Sequence, residues 1–159
     1  MNTTYLLLGS NMGDSRHQLM QAKKYIARYI GPIARESGLY QTAAWGKTDQ
    51  SDFLNQVIIV ETLLSAPDNL NAILYIEKKM GRIRTVKNAP RIIDIDILFF
   101  NKCVSDQDKL ILPHPRIQNR RFVLVPLNEL SPNLIHPVLK KTIHQLLRVC
   151  PDKLSVKKN

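Results

Sequence analysis

Three observations predict an α+β fold built on an antiparallel sheet. Apolar β-type runs occupy residues 3–8 and 53–63, two amphipathic stripes with capping residues lie between strands, and the elements follow one another as β-α-β-β-α-β. That order buries two helices on one face of the sheet, a ferredoxin-like core. Beyond Asn101 the chain is less regular and is expected to form a C-terminal extension that lengthens the sheet and walls a site.

The first strand stops at Gly9-Ser10-Asn11, a turn-forming cluster expected to shape the site, and Asp14 or Ser15 then offers an N-cap. Leu19, Ala22, Ile26 and Tyr29 recur at helical spacing until Gly31-Pro32 ends the pattern. Residues 33–42 read as a second strand. Residues 43–52 carry turn formers and no clear period, so a loop with an exposed Trp45 is expected, and the Val- and Ile-rich residues 53–63 make the third strand. Ser65 with Asp68 forms a capping-box pattern, and Pro67 suits a first helical turn. Leu70, Ile73, Leu74 and Met80 make an apolar stripe, and Gly81 falls where a C′ glycine belongs. A basic loop and a fourth strand follow. Later come a short apolar stretch at 109–112, Pro113-His114-Pro115, a helical segment at 121–130 containing Pro126, and a final helix over 142–149. With no internal repeat, linker or low-complexity segment, residues 1–159 are expected to form one domain.

Composition narrows the function classes. The hydrophobic content of 44 % is ordinary for a globular chain, and no apolar run approaches the roughly 20 residues needed to cross a bilayer. No secretory signal is evident at Met-Asn-Thr-Thr-Tyr, so a cytoplasmic location is expected. Cys103 and Cys150 form no CxxC pair and have no His at zinc spacing, which argues against a disulfide framework or a structural zinc. The formal net charge of +10 implies attraction to anions, whether nucleic acid, headgroups or a phosphorylated small molecule. Lys153, Lys157 and Lys158 supply part of that excess, read as a solvated terminus.

The chemistry concentrates in Arg91-Ile92-Ile93-Asp94-Ile95-Asp96-Ile97-Leu98-Phe99-Phe100. A strand places Asp94 and Asp96 on one face with Cα atoms roughly 6.5 to 7 Å apart, where two ionised carboxylates repel and neither is easily desolvated alone. Residues 78–91 contain Lys78, Lys79, Arg82, Arg84, Lys87 and Arg91 and no acid, so a cationic loop approaches this anionic spot. A hard divalent cation with a polyphosphate satisfies both signs, because Mg²⁺ takes carboxylate oxygens, keeps waters and shares phosphates. Arg82, Arg84 and Arg91 suit charge neutralisation during phosphoryl transfer. Surface ion pairs for the carboxylates and a hydrated basic loop are the plainer alternatives. His114, in a stiff Pro-His-Pro segment, is a candidate phosphate contact or base. No nucleophilic triad can be read from spacing.

Gly9-Ser10-Asn11, Phe53-Leu54-Asn55-Gln56, Gly81-Arg82-Ile83-Arg84, Pro90-Arg91-Ile92-Ile93-Asp94-Ile95-Asp96-Ile97 and Pro113-His114-Pro115 together resemble the 6-hydroxymethyl-7,8-dihydropterin pyrophosphokinase family, in order over nearly the whole chain. The resemblance implies Mg²⁺-dependent transfer of the pyrophosphoryl group of ATP to the hydroxymethyl oxygen of a reduced pterin, with AMP released, in folate biosynthesis. It implies two Mg²⁺ ions held by Asp94 and Asp96, and a catalytic set of Arg82, Arg91, Asp94 and Asp96. ATP would meet Arg82, Arg84, Arg91, His114 and Arg120, with Leu70, Leu74, Glu77 and Ile97 beside it. The pterin would stack between Phe53 and Phe122, pair with Asn55, and meet Thr42 and Ala43. Many family members carry a Trp just before the Pro-Arg element, where this chain has Asn88-Ala89. Trp45 is expected to supply a substitute apolar wall, and Pro115 stands where Tyr is common. Small-molecule substrates, no nucleic acid or membrane partner, and a monomer are the corresponding expectations.

Two rival readings fit the sequence less well. Two-metal nucleotidyltransferases combine Gly-Ser with D-x-D at short range, whereas Ser10 and Asp94 lie 84 positions apart here. Ferredoxin-like sheets also bind RNA, but the aromatic signature is absent and two Asp on a central strand repel phosphates.

Overall fold

The structure is a computed structural model and describes residues 1–43, 51–83 and 90–159. Strand β1 (Asn2–Ser10) leads to helix α1 (Ser15–Tyr29), β2 (Ile33–Glu36), β3 (Tyr40–Thr42), β4 (Phe53–Thr62), α2 (Ala66–Lys79) and β5 (Asp94–Phe100). The small strands β6 (Ser105–Gln107) and β7 (Leu110–Leu112), a 3₁₀ turn (Ile117–Asn119), α3 (Arg121–Leu130), α4 (Ile143–Arg148) and β8 (Val156–Lys158) complete the described chain.

The main sheet runs β5-β1-β4-β3-β8, with β2 also on β4, and every pairing is antiparallel. Strands β1 and β4 sit in its middle and are covered on both sides, so their apolar residues run continuously instead of alternating with polar ones. Leu6, Leu8, Ile58 and Val60 point to the layer holding α1 and α2, whereas Leu7, Val57 and Ile59 point to the layer holding α3 and α4. The α+β, ferredoxin-like expectation with two helices on one face therefore holds, and the C-terminal third covers the opposite face.

Both main helices begin and end where the residues predict. Asp14 caps α1 by accepting from the His17 amide at 3.2 Å, and Ser65 caps α2 by accepting from Asp68 at 3.2 Å. At the end of α2, Gly81 takes φ +90, a left-handed conformation that a Cβ would disfavour. The Gly81 amide donates to Lys78 O and the Arg82 amide to Glu77 O, both at 3.0 Å, a Schellman ending. Arg82 therefore leaves the helix directly over Glu77.

Three expectations change. The strand expected over residues 33–42 is two strands, because Ser37 and Gly38 interrupt it: the Ser37 hydroxyl accepts from the Val57 amide at 3.0 Å and donates to Gly38 O at 2.8 Å, replacing regular ladder bonds. The lysines of the tail are exposed, as expected, but its backbone is not a loose terminus, since β8 pairs with β3 and Lys158 lies 3.5 Å from Glu129. His136, given no role from sequence, is a buried structural acceptor. Its Nδ1 receives the amides of Val138 at 3.2 Å and Leu139 at 3.0 Å, and its ring packs edge-on to Phe99 of β5.

Burial lowers the pKa of His136 below its ordinary 6.5. The unfolded chain then binds more protons than the folded one as pH falls below about 6.5, so this residue's contribution to stability is lost on acidification. His136→Asn keeps an acceptor for the two amides and does not titrate in that range. Thermal midpoints followed from about pH 7 to pH 5 are expected to fall less for His136→Asn than for the parent chain. Parallel curves would remove His136 from the account.

Candidate active site

The two acids of β5 occupy one face, as the period of a strand requires, while Ile95 between them packs into the α1/α2 layer. Gly9 of β1 pairs with Asp94 on one side and with Asn55 of β4 on the other, and Leu7 pairs with Asp96. A Cβ on Gly9 would lie 2.7 Å from the Asn55 side-chain oxygen, so glycine leaves that amide its place on the cleft floor. These strands form the floor of a cleft of about 390 Å³.

Two walls of different chemistry rise from the floor. On one side Thr42, Ala43, Phe53, Asn55 and Phe122 line the cleft. Asn55 is 4 % exposed and donates one amide hydrogen to the Thr42 hydroxyl at 3.3 Å, which fixes the orientation of its remaining polar atoms. Arg82 and Arg91, on Asp94, and His114 and Arg116 line the cleft from the β5 side, and Arg120 stands over Phe122. Aromatic faces with an oriented amide suit a flat heteroaromatic ring, and clustered guanidinium groups suit phosphates.

The carboxylates are not equivalent. Arg82, 8 % exposed, donates to Asp94 Oδ1 at 2.8 Å and to Glu77 Oε2 at 2.7 Å, and Arg91 reaches Asp94 Oδ2 at 3.2 Å. Glu77 itself is buried and also accepts from the Ile95 amide at 2.8 Å. Asp96, by contrast, accepts no hydrogen bond among the described residues. Burial first, then the charges of Asp94 and Glu77, raise its carboxyl well above the usual range, against the pull of Arg120 and Arg82.

His114 is pushed down to about 4, by burial first and then by Arg120, so it is neutral near pH 7. Its Nδ1 accepts from the Arg116 amide at 3.2 Å, which leaves the ring proton on Nε2 as a donor. The base role weighed for His114 is thus disfavoured relative to that of a donor. Burial and Arg116 also lower Arg120, with Asp96 and Asp94 opposing, and Arg120 lies over the Phe122 ring at 5.6 Å.

Several sequence-selected residues lie elsewhere. Leu70 packs against the α1/α2 core, Ile97 is inside it at 7 % exposure, and Leu74 is 41 % exposed; none of these, nor Glu77, lines the cleft. Strand period turns Ile97 to the α1/α2 side of β5, opposite Asp94 and Asp96, while Glu77 lies behind the cleft and reaches it through Arg82. Arg84, Trp45 and Asn88-Ala89 lie outside the described residues. Sequence reasoning passed over Arg116, whose only signal is its position two residues after His114. It also left Asn11 without specific partners: its side-chain oxygen accepts from the Arg91 amide at 2.8 Å and its amide donates to Ser51 O at 3.2 Å.

Asp94 and Asp96 are the donor set available to a divalent metal. Among the described residues no group of three or more His, Cys, Asp and Glu is placed to hold an ion. Two carboxylates, one of them without a hydrogen-bond partner, fit a hard cation that retains waters and shares ligand oxygens, and fit zinc poorly. Among the described residues no helix is long and apolar enough to cross a membrane.

Comparison with known proteins gives a consistent result. The chain is 41 % identical over 151 residues to the folic acid synthesis protein fol1 of Schizosaccharomyces pombe, which covers 94 % of this chain and 20 % of that one. The corresponding protein of Dictyostelium discoideum is 37 % identical, with 23 % of its length covered, so the chain spans about a fifth of these relatives. The 2-amino-4-hydroxy-6-hydroxymethyldihydropteridine pyrophosphokinase of Methylorubrum extorquens is 40 % identical over 136 residues, covering 85 % of this chain and 86 % of its own. A crystal structure of Plasmodium falciparum HPPK-DHPS superposes with TM-score 0.71 at 20 % identity, over 93 % of this chain and 43 % of that one, which supports the fold. A family model for 7,8-dihydro-6-hydroxymethylpterin-pyrophosphokinase matches residues 5–132. On that match, and on relatives near 40 % identity, the chain belongs to the 7,8-dihydro-6-hydroxymethylpterin-pyrophosphokinase family.

Proposed function

We propose that the chain transfers the pyrophosphoryl group of ATP to the hydroxymethyl oxygen of 7,8-dihydro-6-hydroxymethylpterin, as a step of folate synthesis. The carrying observation is one cleft that joins an aromatic and amide wall to an arginine wall across Asp94 and Asp96. In the reaction the hydroxymethyl oxygen bonds to the β-phosphorus and gives its proton to water. The bond between that phosphorus and the oxygen bridging to the α-phosphate breaks, and AMP leaves with the bonding electrons.

Phe53 and Phe122 hold the pterin ring, and Asn55, Thr42 and Ala43 supply its polar edge contacts. Arg82, Arg91, Arg116 and Arg120 take the phosphates, and His114 donates from Nε2. Mg²⁺, two ions by family resemblance, would be held by Asp94 and Asp96 and would supply Lewis-acid neutralisation of the phosphate charge. Arg82 acts from a fixed position because Glu77 holds it, so Glu77 is a positioning residue. Orientation of the acceptor against the β-phosphorus, with donors already in place, supplies the rate gain without covalent protein chemistry. Residues 1–159 are proposed to act as one domain and as a cytoplasmic monomer. The return of β8 to the main sheet supports the first of these.

Incubation with ATP, Mg²⁺ and the reduced hydroxymethylpterin is expected to yield AMP and a diphosphorylated pterin. Release of free pyrophosphate would instead indicate nucleotidyl transfer. Asp96→Asn is expected to cost about 10²- to 10³-fold in kcat/KM, the scale of losing one electrostatic element of a site. Because ionised Asp96 is desolvated and repelled by Asp94 and Glu77, the same variant should melt no lower than the parent at alkaline pH; a marked loss of stability would contradict this. Glu77→Gln keeps an acceptor for the Ile95 amide but weakens the hold on Arg82. Its kcat is expected to fall about 10- to 100-fold with nucleotide KM little changed, and a change confined to KM would rule out the positioning role.

A further inference from the structure

The last residues of the chain, outside the 5–132 span matched by the family model, tie together the two elements that carry the aromatic wall. Helix α3 begins at Arg121 with Arg120 in the N-cap position, and no side chain of its own caps it. Asp152, 9 % exposed, takes over that task from 31 residues away: its Oδ2 accepts from the Arg121 amide at 3.0 Å, and its Oδ1 accepts from the Leu154 amide at 2.9 Å. A carboxylate at this end both fills an orphan donor and opposes the positive end of the helix dipole. Phe122 and Arg120, on either side of the capped amide, both line the cleft.

From Leu154 the chain continues to β8. Lys158, Lys157 and Val156 pair with Tyr40, Gln41 and Thr42, and the Asn159 amide donates to Leu39 O at 2.8 Å. Without β8, the three-residue strand β3 would be an unsupported sheet edge held from one side only. The side chains add a second link. Glu129 of α3 accepts from the Tyr40 hydroxyl and from the Gly38 amide, and it lies 3.5 Å from Lys158 Nζ. The tail therefore grips α3 at its start through Asp152 and near its end through Lys158, and grips β3 along its length.

We propose that residues 152–159 are a clamp that sets the geometry of the acceptor half of the cleft, with Asp152 positioning Phe122 and β8 positioning Thr42 and Ala43. The inference rests on the reading of that wall as the pterin site. It assigns these residues no contact with either substrate; they act through the elements they hold.

The test uses the full-length chain with Asp152→Ala, Asp152→Asn and Lys157→Pro. Strand period places the Lys157 amide on the same side as that of Asn159, toward β3, so proline there deletes a ladder bond. Calorimetric titration with the hydroxymethylpterin is expected to show binding weakened about fivefold in Asp152→Ala and in Lys157→Pro, and less in Asp152→Asn, whose single carbonyl oxygen can still accept from the Arg121 amide but not also replace the bond to Leu154. For Lys157→Pro, binding of a non-hydrolysable ATP analogue with Mg²⁺ should stay within about twofold, because β3 does not carry the arginine wall. Hydrogen exchange should quicken at residues 40–42 and 121–122 while the amides of β1 stay protected, which shows that the fold survives. Unchanged pterin affinity in both disruptive variants, or equal weakening of both ligands by Lys157→Pro, overturns the clamp. If the parent chain binds no pterin, the functional reading fails, and the exchange pattern alone then decides the clamp: quickening at both walls supports it and unaltered exchange overturns it.

Discussion

The guanidinium of Arg82, shared between buried Glu77 and Asp94, is the contact on which the site depends. Two carboxylates taken out of water at this depth need a cation with geometry good enough to repay desolvation, and removing one member of such a set typically costs about 3–5 kcal/mol. The chain meets the requirement through backbone structure. Gly81 turns α2 out of its helix at positive φ, and the next residue is thereby delivered over the carboxylate one turn back. The same Glu77 accepts from the Ile95 amide between the two aspartates, so the end of α2 and the start of β5 are fixed to each other by a single side chain.

This arrangement leaves Asp96 as the unmatched charge. Asp94 is covered by Arg82 and Arg91, whereas Asp96 faces the cleft with only longer-range help from Arg120 and Arg82. The sheet enforces the asymmetry: its two-residue period puts both acids on one face, but only the first lies near the end of α2. A bulge at Leu98 of β5, opposite Tyr5 and Leu6 of β1, then returns Leu98 and Phe99 together to the α3/α4 layer, closing the strand beyond the acids with apolar packing. Polarity in β5 is thus confined to the end that opens into the cleft.

Much of this was legible in the sequence. Asp94 and Asp96 stand out because charge interrupts an apolar strand, and Ser65, Pro67 and Gly81 announce a helix through local chemistry. What escaped notice rests on partners far apart in the chain. Asn11 acts on residue 91 and Asp152 on residue 121, and no period or cap signal links such pairs. The break at Ser37-Gly38 is a hydrogen-bond choice made against β4, and β8 reads as a solvated lysine tail because its pairing with β3 supplies the order that its composition lacks. Leu70, Leu74 and Ile97 came from the family resemblance and from no local signal; Leu70 and Ile97 pack with the α1/α2 core and Leu74 is exposed.

Under the proposed reading, the charges of the cleft select a composite ligand. A bare polyanion attracted by Arg82, Arg91, Arg116 and Arg120 meets the uncompensated carboxylate of Asp96. A bare cation attracted by Asp96 meets the same four guanidinium groups at close range, where interactions are weakly screened. Only a polyphosphate that brings its own divalent cation presents both signs in the order the two halves demand. The formal net charge of +10 therefore does not by itself define the ligand. Selectivity comes from one acid held back from neutralisation in the middle of a basic wall, and that acid stays unpaired because Glu77 directs Arg82 to its neighbour.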